Sequence, residues 1–210
     1  MDGNNRFSKK KNIDLYESYK SGAKNLLKLA KYLFEDHQVN TISAFGLSYN
    51  NTKRSKILIN SLIKVLEYFL NNFQLQEFNF NIEFRGDLIF FSKKIRDKLT
   101  NINNDIKTSK KKIIIYLNYS GQKDIIRAAL KYNDNKINFL KFRKLLSTKN
   151  NSEPDILIRT GGYSRISDFF LFEIAFTELF FSKKLWPEFS NRDLNVIISK
   201  YVKIERKFGY

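Results

Sequence analysis

Residues 155–168 read DILIRTGGYSRISD, and they are the most informative stretch of the chain. The apolar run at 155–159 predicts a buried strand that ends at Arg159. The two glycines that follow let the backbone approach a ligand closely, and Arg165 and Ser167 come within a few residues. Two guanidinium groups, a hydroxyl and free backbone N–H groups suit a diphosphate, which they bind through charge-assisted hydrogen bonds. The alternative is a strand end with two surface arginines paired to carboxylates, and the spacing alone does not separate the two.

Helical and extended patterns alternate on the amino-terminal side of this stretch, and a further helical pattern follows it. Predicted helices cover 18–36, 56–70, 90–103, 122–132, 138–146 and 190–205, and predicted strands cover 39–48, 78–84, 112–119 and 155–159. This alternation is typical of an α/β fold with a central, mostly parallel β-sheet flanked by helices on both faces. We expect a single domain over 1–210. Ligands of such sheets bind at the carboxyl ends of the strands, so the polar residues at 48–51, 118–120 and 159–162 are candidates for one site.

The predicted helix at 56–70, KILINSLIKVLEYFL, is unusually apolar. Its apolar residues cover more than half of the helix circumference. We therefore expect it to be buried on more than one side or to line an apolar cavity.

Composition excludes several classes of protein. The 210 residues contain no Cys and a single His, which excludes disulfides, thiolate metal sites and His-cluster metal sites. No run of 18 or more apolar residues predicts a membrane span, and the first residues do not have the pattern of a signal peptide. We therefore expect a cytoplasmic protein.

The net charge of +17 comes from 38 Lys and Arg against 21 Asp and Glu. Of the basic residues, 28 are Lys and 10 are Arg. We attribute the charge mainly to a compositional bias toward Lys, together with binding of an anionic small substrate. The alternatives are an anionic membrane surface and nucleic acid. The chain contains no GxxxxGK[ST] or GxGxxG motif and no recognisable RNA-binding motif, so we expect no nucleic-acid partner.

The first residues, MDGNNRF at 1–7, place Asp2 beside Gly3, Asn4 and Arg6. Mg²⁺ takes one or two protein oxygens and completes its shell with phosphates and water. A lone carboxylate beside a phosphate-binding turn therefore suits this ion. The alternative is an unstructured chain start.

Together these segments resemble the cis-prenyltransferases, and most closely the bacterial undecaprenyl diphosphate synthases. MDGNNRFSKK at 1–10 is similar to the family motif MDGNxRWAKK, and SYNNTKR at 48–54 is similar to S-x-E-N-W-x-R. Residues 155–189 match a long block that begins D-L-x-I-R-T-[SG]-G-E and ends W-P-D-F, and IERKFG at 204–209 fits R-x-R-R-F-G.

The resemblance runs from Met1 to Gly209 and implies an enzyme that condenses isopentenyl diphosphate with an allylic diphosphate. The implied primer is farnesyl diphosphate, and the implied product is a long cis-polyprenyl diphosphate such as undecaprenyl diphosphate. The resemblance also implies Mg²⁺ as the cofactor and a homodimer as the assembly.

The resemblance implies a role for each matching residue. Asp2 is implied as the catalytic carboxylate and a Mg²⁺ ligand, with Glu178 supporting the metal. The implied contacts of the allylic diphosphate are Gly3, Asn4, Arg6, Ser48 and Arg54. The implied contacts of isopentenyl diphosphate are Arg159, Arg165, Ser167 and Arg206, the last reaching the site of a partner subunit. Asn51 is implied to help proton removal, and the helix 56–70, with the region 78–103, to wall a hydrophobic tunnel for the growing chain.

The chain departs from the family pattern at several positions. Leu15 and Tyr19 stand where the family usually has Arg and His, and losing one charged phosphate contact costs roughly 1.5–3 kcal/mol. The other departures are Asn50 for Glu, Thr52 for Trp, Tyr163 for Glu and Asp168 for Asn.

Two further expectations concern the chain start and the activity. The apolar strand that precedes MDGN in the family has no counterpart here, and we expect the native start to lie upstream of Met1. The competing hypothesis for the activity is a degenerate, non-catalytic partner subunit, motivated by Leu15, Tyr19 and Tyr163. Because Asp2 and Glu178 are retained, we favour the active enzyme, and some of the lysine excess would let it settle on an anionic membrane surface.

Overall fold

The computed structural model describes residues 1–53, 55–72, 78–133, 136, 138–149 and 153–205. The helices are α1 (Asn4–Lys11), α2 (Leu15–Asp36), α3 (Lys56–Asn72), α4 (Lys93–Asn104), α5 (Gly121–Lys131), α6 (Phe139–Arg143) and α7 (Asn191–Tyr201). The strands are β1 (Thr41–Phe45), β2 (Asn81–Gly86), β3 (Lys112–Leu117), β4 (Ile156–Arg159) and β5 (Glu178–Phe181). Short 3-10 helices lie at Tyr49–Lys53, Leu88–Phe90 and Trp186–Glu188.

The described strands all pair in parallel. One sheet has the order β1-β3-β2, with Thr41 of β1 and Asn81 of β2 both opposite Lys112 of the central strand β3. The second sheet pairs β4 with β5, from Ile156 opposite Glu178 to Arg159 opposite Phe181. The parallel α/β class is thus as predicted. Among the described strands the parallel pairing falls into a three-stranded and a two-stranded sheet.

The central strand β3 is buried on both of its faces. Ile113 and Leu117 point into the larger core, where they meet apolar side chains of α2, α4 and α7. Ile114 and Tyr116 point the other way, into a smaller cluster that includes Phe170. A strand covered on both faces reads as a continuous apolar run, which is why KIIIYL was recognisable as a strand from its composition.

The predicted helices and strands are present, with ends that differ by a few residues. Side-chain caps account for several helix starts. The Asp14 carboxylate accepts from the Glu17 N–H at 2.8 Å before α2, and the Ser120 hydroxyl accepts from the Lys123 N–H at 3.2 Å before α5. The last predicted helix, 190–205, is shorter than expected, since α7 ends at Tyr201. The elements α1 and β5 were not predicted from the sequence.

Helix α3 is only partly buried despite its apolar sequence. Val65 is its one buried residue among the described side chains. Ile59, Leu62, Ile63, Leu66 and Leu70 pack against the core but keep part of their surface exposed. The described helices all lack the combination of length and hydropathy that a bilayer-crossing segment needs.

Candidate active site

The turn after β4 brings the amino-terminal segment against the second sheet. Gly161 and Gly162 have φ of 88° and 81°, in the left-handed region that glycine adopts without strain. Their N–H groups donate to the carbonyls of Lys184 and Ser182 at 2.7 and 2.8 Å. A Cβ on Gly161 would lie 2.7 Å from Arg6 Nη2. Glycine at this position therefore makes the close approach of α1 possible.

The backbone of Asp2 is anchored by the residues around this turn. Its N–H donates to the Thr160 hydroxyl at 3.0 Å, and that hydroxyl donates to the Asp2 carbonyl at 3.0 Å. The backbone N–H of Trp186 donates to the same carbonyl, also at 3.0 Å. Thr160 is 1% exposed, whereas the Asp2 side chain is 37% exposed. The fold thus fixes the main chain and leaves the carboxylate accessible.

Arg159 connects that carboxylate to the loop that follows the turn. Its Nη2 donates to Asp2 Oδ2 at 2.9 Å, and its Nη1 donates to Ser167 Oγ at 2.6 Å and to the Arg165 carbonyl. Arg6 Nη2 lies 3.6 Å from Asp2 Oδ1. Residues from the start of the chain and from the second sheet are therefore in contact. We call Arg6, Arg159 and Arg165 the arginine cluster.

The loop that carries Ser167 is held in an uncommon conformation. Ser167, Asp168 and Phe170 have φ of 52°, 68° and 54°, which costs energy for residues with a Cβ and is concentrated at functional sites. Two bonds from the start of α5 support it, since the Gly121 N–H donates to the Asp168 carbonyl at 2.9 Å and the Gln122 N–H donates to Asp168 Oδ1 at 2.8 Å. The loop is thereby tied to the three-stranded sheet.

Ser48 and Asn51 lie at the carboxyl edge of that sheet. Ser48 forms a parallel bridge with Tyr119, which follows β3. The Asn51 N–H donates to Ser48 Oγ at 3.1 Å. Phe169, two residues after Ser167, stacks on Phe45 at 4.6 Å between ring centroids and meets the Tyr119 ring edge-on at 5.9 Å. This aromatic packing joins the loop that carries Ser167 to the sheet edge at which Ser48 lies.

A buried carboxyl group lies next to this aromatic packing. Glu173 is 4% exposed, and its Oε1 accepts from the Thr148 hydroxyl. Its Oε2 is buried without a hydrogen-bond partner among the described residues. Burial raises the pKa of Glu173, and burial raises the pKa of Tyr119 as well. Both shifts favour the neutral forms.

Several predicted site residues take other places. Gly3, with φ of 110°, caps the start of α1 and packs against Leu185. The side-chain oxygen of Asn4 is buried with no hydrogen-bond partner among the described residues and lies toward Gly22 of α2, so this atom does not face a diphosphate. Arg54 and Arg206 lie outside the described residues.

Glu178 is not brought to Asp2 within the chain. It begins β5 opposite Ile156, while the Asp2 main chain bonds to Thr160 beyond the other end of β4. The four residue steps from Ile156 to Thr160 correspond to about 13 Å of extended strand. The sequence could not reveal this separation, because β5 was not recognised as a strand.

The donor set for a metal is therefore one carboxylate. In the described part of the chain, no three His, Asp or Glu side chains gather into a group that could hold a metal ion. Mg²⁺ is commonly bound through one or two carboxylates together with substrate phosphates and water. Asp2, exposed beside an anion-binding cluster, fits that arrangement, whereas it does not fit a metal held by protein ligands alone.

Two residues at the site had no role in the sequence analysis. Thr160 anchors Asp2, and it lies inside the R-T-G-G motif, so the motif itself was the available signal. The ring of Tyr163 lies among the arginine cluster. Its only signal was a departure from the family pattern, which did not say what the side chain does.

Comparison with known proteins agrees with the geometry. The family model described as "Putative undecaprenyl diphosphate synthase" matches residues 1–209. The chain is 36% identical over 220 residues to "Isoprenyl transferase" of Helicobacter pylori, with 100% of this chain and 94% of that protein covered.

Solved structures give the same result. The crystal structure of lavandulyl diphosphate synthase from Lavandula x intermedia, in complex with dimethylallyl diphosphate, superposes with a TM-score of 0.89 at 26% identity, covering 100% of this chain and 95% of that one. The structure of a "probable undecaprenyl diphosphate synthase" from Campylobacter jejuni has a TM-score of 0.78 at 26% identity, covering 90% and 92%.

Proposed function

Since the chain belongs to the undecaprenyl diphosphate synthase family of prenyltransferases, we propose that it is an active, Mg²⁺-dependent, chain-elongating member. Its substrates are isopentenyl diphosphate and an allylic diphosphate such as farnesyl diphosphate, and its product is a long cis-polyprenyl diphosphate of the undecaprenyl type. The observation that carries this proposal is the contact of Asp2 with Arg159, which also bonds Ser167.

The arginine cluster supplies the positive charge that the reaction needs. When the allylic carbon–oxygen bond breaks, negative charge develops on the departing diphosphate, which Arg6 stabilises, while Arg159 and Arg165 hold the diphosphate of isopentenyl diphosphate. Arg159 is oriented before any substrate arrives, since Asp2, Ser167 and the Arg165 carbonyl hold its two terminal nitrogens. Such preorganisation lowers the reorganisation cost in the transition state.

Asp2 and the polar edge of the first sheet complete the chemistry. Asp2, together with the substrate phosphates, would hold Mg²⁺, and the bound ion would supply Lewis-acid stabilisation of the phosphate oxygens. Ser48 and Asn51 lie at the neighbouring strand end. There they orient the diphosphate and assist the loss of a proton from the isopentenyl unit, which creates the new double bond. With His37 as the chain's one His, proton transfer falls to carboxylate or amide groups or to the substrate itself.

The growing chain is proposed to lie along α3. This helix begins three residues after the 3-10 helix that contains Asn51. Its partly buried side chains, among them Leu62 and Leu66, offer apolar surface next to the core without being sealed by it. A polyprenyl chain bound there would remove that surface from water, at about 25 cal/mol per Å².

A homodimer is proposed on the outer side of β5. Leu179 and Phe181 are 43% and 41% exposed, and β5 pairs only with β4 among the described strands. An apolar strand edge of this kind is a template for pairing with another chain, and a second copy presents the same edge. Light scattering should give twice the mass of one chain, and Leu179→Glu should shift the mass toward one chain; a wild-type mass of one chain contradicts the dimer.

The same proposal includes its cellular setting. A chain with a net charge of +17 is attracted to anionic headgroups, at about 1 kcal/mol per basic residue near the surface. We propose a cytoplasmic enzyme that contacts the inner membrane surface when it delivers its product.

The test is product analysis. The purified protein is incubated with isopentenyl diphosphate, farnesyl diphosphate and Mg²⁺, and the extracted lipid is analysed for chain length and double-bond geometry. New cis double bonds in a chain longer than the primer support the proposal. If the protein elongates only after a second subunit is added, the non-catalytic alternative replaces it.

A further inference from the structure

Tyr163 lies where three guanidinium groups converge. Its ring centroid is 4.3 Å from Cζ of Arg165, 5.0 Å from Cζ of Arg6 and 5.6 Å from Cζ of Arg159. All three distances are within the roughly 6 Å over which a cation and an aromatic ring attract each other. The arginines come from α1, from the end of β4 and from the loop beyond the turn, so the ring is a common contact for three separate segments.

The cluster carries more positive charge than its neighbours neutralise. Asp2 pairs with Arg159 at 2.9 Å and with Arg6 at 3.6 Å. Arg165 makes no ion pair within the part of the chain that the structure describes. Three like charges so close together repel one another, and this repulsion would spread the side chains apart in the absence of an anion.

An aromatic ring opposes that spreading without adding charge. The attraction comes from the quadrupole of the ring, whose face is negative although the ring is neutral. A carboxylate at this position, as in the family pattern, would also hold the arginines but would cancel one positive charge. Tyr163 keeps the full charge of the arginine cluster available to an incoming anion.

We propose that Tyr163 is a positioning residue that holds Arg159 and Arg165 for the diphosphate of isopentenyl diphosphate and keeps Arg6 beside them. This inference rests on the function proposed above. The relevant part of the side chain is the ring and not the hydroxyl, since all three arginine contacts are made to the ring. Tyr163 is 42% exposed, so its replacement should leave the fold intact.

Two variants separate the effect of the aromatic face from the effect of side-chain volume. Tyr163→Phe keeps the aromatic face, and Tyr163→Leu fills a similar volume without one. Binding of inorganic pyrophosphate is measured by titration calorimetry, and KM for isopentenyl diphosphate and kcat are measured in parallel. We expect Tyr163→Leu to weaken pyrophosphate binding and to raise KM about tenfold, the effect of losing two or three exposed cation–π contacts. Its kcat should change less than twofold, and Tyr163→Phe should match the wild type within twofold.

Phe139→Leu is the matched control. Phe139 in α6 is 55% exposed, its ring stacks on Phe172, and the described cation–π contacts of the three arginines are with the Tyr163 ring instead, so this variant should bind pyrophosphate normally. The proposal is overturned if Tyr163→Leu binds pyrophosphate as the wild type does, if Tyr163→Phe is as weak as Tyr163→Leu, or if Phe139→Leu is equally weak. Failure of the wild type itself to bind pyrophosphate contradicts the proposed function instead, so the two failures are distinguishable.

Discussion

Gly161 and Gly162 form a matched pair that isolates the contact between the turn and the amino-terminal segment. Their φ values of 88° and 81° are nearly equal. An alanine at either position should therefore cost a similar amount of folding free energy, about 1–2 kcal/mol for a left-handed residue with a Cβ. The surroundings differ, because a Cβ on Gly162 finds its nearest neighbour at 3.9 Å, whereas one on Gly161 would lie 2.7 Å from Arg6 Nη2 and 3.2 Å from Asp2 Cβ.

The expected loss of activity follows from how far Arg6 must move. Asp2 is anchored by backbone hydrogen bonds to Thr160 and Trp186, so the flexible Arg6 side chain gives way. Ordinary van der Waals contact begins at 3.4 Å, and reaching it from 2.7 Å requires about 0.7 Å. A misplacement of about 1 Å costs roughly 100-fold in rate, so Gly161→Ala should lower kcat/KM roughly 10- to 30-fold.

The assay compares the two variants for both properties. Urea denaturation should give equal stability losses, and the kinetics of isopentenyl diphosphate incorporation should separate them, with Gly162→Ala within about twofold of the wild type. Equal kcat/KM values for the two variants would refute the reasoning. Backbone strain would then account for the whole loss of activity, and the close approach of Arg6 would contribute nothing to it.

Three other substitutions test separate parts of the account. Arg159→Lys should reduce kcat/KM by roughly 10- to 150-fold, because a lysine cannot bond Asp2 and Ser167 at once and one charged hydrogen bond contributes about 1.5–3 kcal/mol; steady-state kinetics check this, and activity within threefold of the wild type contradicts it. Glu173→Gln should be more stable than the wild type above neutral pH, since burial raises the pKa of Glu173 in the folded state. The stability contributed by the protonated acid is fully present below its ordinary pKa of about 4.3 and is lost as pH rises through the folded pKa. Melting curves should therefore show a higher melting temperature for Glu173→Gln than for the wild type at pH 8 but not at pH 4. A difference of equal size at pH 4 contradicts this prediction. Trp186→Phe should cost about 1–3 kcal/mol of stability, because the buried indole N–H donates to the Gly22 carbonyl at 2.7 Å, while kcat should change less than twofold; an unchanged urea midpoint is the contrary result.

The sequence carried the fold class because its elements are strongly patterned. The strand β3 is an unbroken apolar run since both of its faces are buried, and the long helix α2 repeats apolar residues at helical spacing. The strand β5 was not predicted, because it is short, lies among many aromatic residues and alternates half-buried with exposed positions.

The candidate site was predicted unevenly for physical reasons. Asp2 and Arg159 were each predicted as site residues from their motifs, but the hydrogen bond between them was not predicted. The placement of Glu178 depends on strand register, and the orientation of the Asn4 side chain depends on how α1 packs on α2, which no local pattern encodes. Tyr163 was visible only as a departure, and its contacts with three arginines required three-dimensional coordinates.

The most direct test of the central claim is the rate at which isopentenyl diphosphate is incorporated into extractable polyprenyl product, measured for the wild type and for Asp2→Ala in the presence of farnesyl diphosphate and Mg²⁺. The account predicts steady incorporation by the wild type and a loss of at least 100-fold in the variant, since Asp2 both orients Arg159 and is the accessible carboxylate of the site. Equal rates for the two proteins, or no incorporation by a folded wild type, would contradict it.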